Sequence, residues 1–157
     1  NAFGLEFTSG YTPYKWWKLD FNFNFFHANI DGSNILPNYN TATYSWFARQ
    51  TSRFSLKKNL DLQLRMNYEA PQKTVQGRRK AMYYADFSIS KDVLKERGTL
   101  NFNVLDVFNT RKARTVFEGE NFYYDGYGRF NPRQINLTFT YRIKQSKGTK
   151  TVKIIQE

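Results

Sequence analysis

The 157-residue sequence predicts an all-β fold. The expected architecture is an antiparallel, up-and-down transmembrane β-barrel, of which the chain supplies roughly the last seven strands. Three observations predict it. Apolar and polar residues alternate with a period of two through seven segments. The joints between those segments alternate between short and long. The chain holds 15 Phe, 11 Tyr and three Trp, too aromatic for a disordered tail, yet it has no run of about 18 apolar residues to make a membrane helix.

The first segment sets Phe3, Leu5 and Phe7 against Gly4, Glu6 and Thr8. A turn is expected near Gly10 to Tyr14, around Pro13. The second segment, Lys15 to Ile30, places Trp17, Leu19, Phe21, Phe23 and Phe25 opposite Lys18, Asp20, Asn22 and Asn24. Asp31 to Tyr39, with Gly32, Pro37 and Asn38, reads as a loop. In the third segment Ala42, Tyr44, Trp46 and Ala48 share a face against Thr43, Ser45, Phe47 and Arg49. Lys57 to Asn59 is a short polar turn. The fourth segment sets Leu60, Leu62, Leu64, Met66 and Tyr68 against Asp61, Gln63, Arg65, Asn67 and Glu69.

A loop is expected from Ala70 to Lys80. The fifth segment opposes Tyr83, Ala85, Phe87 and Ile89 to Tyr84, Asp86, Ser88 and Ser90. Lys91 to Gly98 reads as a turn with room for one helical turn. The sixth has Leu100, Phe102 and Val104 against Thr99, Asn101 and Asn103. Residues 105–133 are mixed, with a possible strand over Arg114 to Phe122 that would make an eight-stranded barrel an option. The last segment alternates Ile135, Leu137, Phe139, Tyr141 and Ile143 with Asn136, Thr138, Thr140 and Arg142. Two regions follow: strands over 1–143 and a polar, Lys-rich tail over 144–157.

Stacked hairpins put all short joints at one end and all long ones at the other, as in membrane barrels. Asp20, Asn22, Asp61, Gln63 and Arg65 sit mid-strand, where a dry interior would penalise them and a wet lumen would not. The opposing Leu, Phe, Ile and Trp suit lipid. A water-soluble sheet would show the same alternation with its faces exchanged. An odd number of strands ending on the short-turn side starts on the long-loop side, so the expectation is the C-terminal piece of a larger barrel.

Composition removes several chemistries. There is no Cys and a single His, His27, so thiol chemistry, disulfides and multi-histidine metal sites are out. No catalytic, cofactor-binding or metal-binding residues are expected. Lys and Arg outnumber Asp and Glu by 24 to 13, a net charge of +11. The cations scatter over turns, strand faces and tail, so no nucleic-acid surface is expected. Trp16, Trp17, Tyr68 and Tyr83 are candidates for interfacial aromatic belts. Arg78, Arg79, Arg111, Lys112 and Tyr124 are candidate loop contacts: the four cations fit lipopolysaccharide phosphates or an anionic ligand, and the Tyr124 ring fits an outer aromatic belt or a stacked sugar or peptide. Asp106 interrupts an apolar face, so its strand should leave the membrane there, with the carboxylate either capping the loop or pairing with a nearby Arg.

The order of "NAFGLEF", "YTPYKWWKLDFNFNFFHANIDG", "NYEAPQKTVQGRRKAMYYADFSISKDVL", "GTLNFNVLDVFNTRK" and "NLTFTYRI" resembles the C-terminal part of TonB-dependent-receptor-like outer membrane β-barrel proteins of the Bacteroidota type. Val104 to Lys112 resembles the family's penultimate-strand signature. The resemblance implies a plugged barrel of about 22 strands in the outer membrane, importing a solute into the periplasm. It also implies partners: outer-membrane lipid and lipopolysaccharide, upstream barrel strands and a plug, TonB through upstream regions, and a surface lipoprotein or other membrane-complex subunits. Relatives of this kind also serve as scaffolds or as assembly or secretion subunits. The chain departs from many such barrels in carrying 14 residues beyond Ile143 instead of ending on an aromatic residue.

Overall fold

The computed structural model describes residues 1–31, 40–119, 121–129 and 131–143. Of the loop expected over 31–39, Asp31 is instead the last residue of a strand; residues 32–39 and the tail over 144–157 lie outside the described residues. Eleven strands are present: β1 (Ala2–Tyr14), β2 (Trp17–Asp31), β3 (Asn40–Leu56), β4 (Leu60–Glu69), β5 (Gln72–Thr74), β6 (Gly77–Arg79), β7 (Met82–Val93), β8 (Gly98–Leu105), β9 (Ala113–Gly119), β10 (Phe122–Gly128) and β11 (Gln134–Tyr141). Seven form one antiparallel sheet in the order β1-β2-β3-β4-β7-β8-β11. The other four make a smaller sheet, β10-β9-β6-β5.

Register converts the alternation of single strands into two continuous surfaces. Trp17 lies opposite Phe54, Phe54 opposite Leu62, Leu62 opposite Ile89, Ile89 opposite Phe102 and Phe102 opposite Leu137. On the other face Lys18, Arg53, Gln63, Ser88, Asn103 and Asn136 form the matching row. A one-residue slip at any pairing would bring polar groups into the apolar row, so the pattern specifies the register. The apolar surface is not packed into a core. Among the described residues only Ala85 and Val116 are buried hydrophobics, whereas Leu5, Ile135 and Leu137 are 77%, 66% and 68% exposed. A water-soluble sheet would cover such a surface; here it is left exposed, as lipid contact requires.

The joints at one end are Lys15-Trp16, Lys57–Asn59 and Leu94–Arg97. The β2–β3, β4–β7 and β8–β11 connections all leave the opposite end. The alternation of joint lengths therefore holds in three dimensions. β1 and β11 are the outer strands of the seven and do not pair with one another.

Several sequence expectations are corrected. The turn placed at Gly10 to Tyr14 is strand: β1 runs through Tyr14, and its register with β2 shifts between Tyr11 and Tyr14. Pro13 is accommodated at that irregularity because it has no N–H to give to a regular ladder. The Ala70 to Lys80 loop holds the β5–β6 hairpin, so Arg78 and Arg79 belong to β6 and are not loop residues. The turn after β7 contains no helix; β7 continues to Val93, and Leu94, Lys95 and Glu96 all have positive φ. The strand expected over Arg114 to Phe122 is two strands folded on each other, β9 and β10. They add to the smaller sheet, so the larger one stays at seven strands and the eight-strand option is not met.

Candidate functional site

The polar face of the large sheet is a hydrogen-bonded wall. Asn22 donates to Glu6 and Thr8 at 2.8 and 3.0 Å. Arg53 joins Asp20 at 2.6 Å and donates to Gln63 at 3.1 Å. Arg49 Nε donates to Asn67 Oδ1 at 3.0 Å, and Ser88 to Asn103 at 2.7 Å. The Asp20–Arg53 pair keeps substantial exposure, whereas Asn67 is buried. Exposed pairs of this kind add little stability, but they set the polarity of the wall. Of the mid-strand charges, Asp20 pairs with Lys18 and Arg53, while Asp61 and Arg65 make no ion pair among the described residues.

The smaller sheet stands at the long-connection end, because β5–β6 and β9–β10 extend from the β4–β7 and β8–β11 connections. Its seam is β6 against β9, with Gly77 opposite Phe117 and Arg79 opposite Thr115. Gly77 has φ 156°, and a Cβ there would run into the Val116 carbonyl, so only glycine allows this approach. Asp125 ties the seam: it accepts two hydrogen bonds from Arg114, at 2.8 and 2.7 Å, and one from Lys80 at 3.2 Å. The Arg114 hydrogen bond, opposed by partial desolvation and helped by Lys80, lowers the Asp125 carboxyl from its ordinary 3.8 to about 2. The same hydrogen bond raises the Arg114 guanidinium.

Between the sheets lies a tight knot at Asp106. Asp106 is 2% exposed with φ 52°. Its carboxylate accepts from the backbone N–H groups of Thr110 and Arg111 at 2.8 and 3.0 Å, and its own N–H donates to Asp86 at 3.0 Å. The Thr110 hydroxyl donates to the Tyr83 carbonyl at 2.6 Å. The carboxylate is thus the loop cap expected of it, and β8 ends one residue before it.

The four aromatic candidates fall at two levels of the apolar face. Near the short turns Tyr14, Trp16, Trp17 and Phe54 stack, with centroids 5.4 Å apart for Tyr14–Trp16 and 5.7 Å for Trp17–Phe54. Toward the other end Tyr68 lies opposite Tyr83 and stacks on Trp46 at 4.7 Å, and His27 meets Tyr44 at 4.4 Å. Trp17 and His27 are ten residues apart on β2. At roughly 3.4 Å per residue and a tilt of about 45°, that is about 24 Å of height, the thickness of an outer-membrane apolar band.

The five loop candidates do not converge. Arg78 and Arg79 sit on β6, Arg79 being 3.8 Å from Glu69. The Arg111 guanidinium lies 4.2 Å over the Tyr84 ring and the Lys112 ammonium 5.5 Å from that of Tyr127. Tyr124 stacks on Phe117. A half-open cavity of about 390 Å³ instead unites Arg79 with Lys80 and Arg114 of the smaller sheet and with Arg49 and Glu69 of the wall. Arg49, Glu69, Asp86 and the anchoring role of Asp125 escaped the sequence reading; their meeting depends on register and on the extra hairpins. No group of three or more His, Asp or Glu suited to a metal ion occurs among the described residues.

A scan against protein-family models matches residues 1–141 to the outer membrane protein beta-barrel family. The chain belongs to that family. Searches of curated proteins and of solved structures returned no match. Membership places the protein in the outer membrane and accounts for a sheet that is apolar toward lipid and polar toward its interior. The belts and the lipopolysaccharide contacts remain roles that the positions of Trp16, Trp17, Tyr68, Tyr83, Arg78, Arg79, Arg111, Lys112 and Tyr124 suit to different degrees.

Proposed function

We propose that the chain forms the C-terminal strands of a plugged outer-membrane receptor that takes up a solute into the periplasm. The observation that carries this reading is the open, two-faced sheet. Its seven strands present an exposed apolar surface and a hydrogen-bonded polar wall, while the outer edges of β1 and β11 have no strand partner among the described residues. In hydrocarbon each unpaired backbone group costs several kcal/mol, so further strands must close the barrel. A barrel much wider than seven strands has room for a plug, which the Asp20–Arg53 and Arg49–Asn67 pairs would meet. Upstream strands, the plug and TonB are the partners this reading requires.

The deciding experiment is solute uptake by energised cells that produce the intact protein, compared with a deletion strain and with de-energised cells. Uptake that needs both the protein and the energised membrane supports the reading. A protein that copurifies in fixed stoichiometry with other subunits and moves no solute refutes it.

That outcome would favour a second reading, an outer-membrane scaffold or assembly or secretion subunit. Its specific support is β10, an edge strand of the smaller sheet. Phe122, Tyr123, Tyr124 and Tyr127 on it are 58%, 65%, 56% and 62% exposed, an aromatic load suited to a protein partner such as a surface lipoprotein.

A further inference from the structure

The cavity at the long-connection end is walled by the polar face and roofed by the smaller sheet. Arg49, Arg79, Lys80 and Arg114 line it, against one carboxylate, Glu69, with Phe47 among the apolar lining. We infer that this cavity is a binding site for a small soluble polyanion bearing carboxylates or phosphates, with Arg49 and Arg79 as the residues that grip it. The inference rests on the uptake reading for its physiological route, but the site itself is a binding property of the folded protein.

The four cations differ in how committed they are. Lys80 and Arg114 are held by Asp125, with Arg114 engaged through two nitrogens. They form a fixed positive rim. Among the described residues Arg79 has only Glu69 as an ionic partner, at 3.8 Å, too far for a hydrogen bond. Arg49 spends its Nε on Asn67, and its terminal nitrogens make no hydrogen bond among the described residues. A guanidinium in that state offers a planar fork matched to a carboxylate or phosphate. At about 390 Å³ the space falls in the range of small-molecule sites. A concave site with an excess of one charge also raises the local concentration of the opposite one.

The site faces the polar side of the sheet, so the ligand is a dissolved anion and not a lipid headgroup. Isothermal titration of the intact protein in nanodiscs with citrate, inorganic phosphate and neutral sucrose tests this. Citrate and phosphate are expected to bind saturably and sucrose not at all. Arg79→Gln and Arg49→Gln should each weaken citrate binding by about tenfold, the loss of one charge-assisted contact, and Arg79→Lys should recover part of that loss. Lys95→Gln, in a turn at the far end, should change nothing. Adding lipopolysaccharide to the nanodisc should leave citrate binding unchanged. Absence of saturable binding, equal weakening by Lys95→Gln, or displacement of citrate by lipopolysaccharide would overturn the inference. Uptake is measured separately: transport without citrate binding removes this site and spares the receptor reading, and binding without transport does the reverse.

Discussion

The two sheets of this protein are held by different physics. The seven-stranded sheet has long ladders, a continuous apolar surface and no buried core to speak of; its stability depends on the medium it stands in. The four-stranded sheet has strands of three to seven residues and is fastened at points: the glycine seam at Gly77, the Asp125 anchor and the Asp106 knot below it. One region is specified by a pattern and the other by individual residues. Substitutions should therefore be graded by medium-facing direction in the first and by identity in the second.

The strongest contrast is expected within the large sheet. Leu64→Arg, at mid-strand on the apolar face opposite Phe87, should cost about 2–4 kcal/mol of folding stability in lipid vesicles. Asn101→Arg, on the polar wall opposite Ser90, should cost well under about 1 kcal/mol. Urea titration of both variants in vesicles measures the difference, and equal costs would remove the assignment of faces.

Next comes Asp106→Ala. It strips the acceptor from the Thr110 and Arg111 N–H groups inside a buried knot, at about 1–3 kcal/mol. Limited proteolysis should then cut near residues 106–112 while the large sheet stays resistant. Cleavage throughout the chain would show that the two regions are one cooperative unit.

Trp16→Ala removes a ring stacked on Tyr14 and Trp17 and should cost about 1 kcal/mol. The loss should be greater in bilayers than in detergent if Trp16 sits at a headgroup boundary. No dependence on the medium would leave it as ordinary sheet packing.

The smallest and most local effect concerns Asp125. Its folded carboxyl lies near 2 against an ordinary 3.8. The depressed value means that its contribution is fully present above the ordinary aspartate range and disappears as pH falls through about 2. Protection of β9 and β10 against hydrogen exchange, relative to intrinsic rates, should fall over that window in the native protein. In Asp125→Asn that protection should be lower than in the native protein above the window and should not change across it, with the large sheet unaffected.

What the sequence could show follows the same division. The membrane strands were legible because Leu60 to Glu69 alternates without a fault, and because such runs report which side of a strand is which. Pro13 misled because a proline normally marks a turn, and only the neighbouring strand reveals that it sits at an irregularity in a ladder. β5 and β6 have three residues each, too few for any period. In Phe122–Gly128 aromatic residues fall on both faces, which erases alternation. Asp106 was legible as a cap because it interrupts an apolar series. Its link to Asp86 was not, since the two are 20 positions apart and meet only through the β7–β8 register. The cationic cavity was visible only in part: Arg79 advertised itself in a charge run, whereas Arg49 and Glu69 looked like ordinary polar-face positions until the hairpins folded over them.

The seam between β6 and β9 has a consequence for biogenesis. These strands come from different connections, so neither hairpin can complete the smaller sheet alone. Both connections leave from the end that in such barrels lies outside the cell, and they must be threaded across the bilayer as loose, charged polypeptide. Zipping of Gly77–Arg79 to Thr115–Phe117 can begin only after arrival, which makes it a latch on a completed crossing and a natural barrier to the loops slipping back.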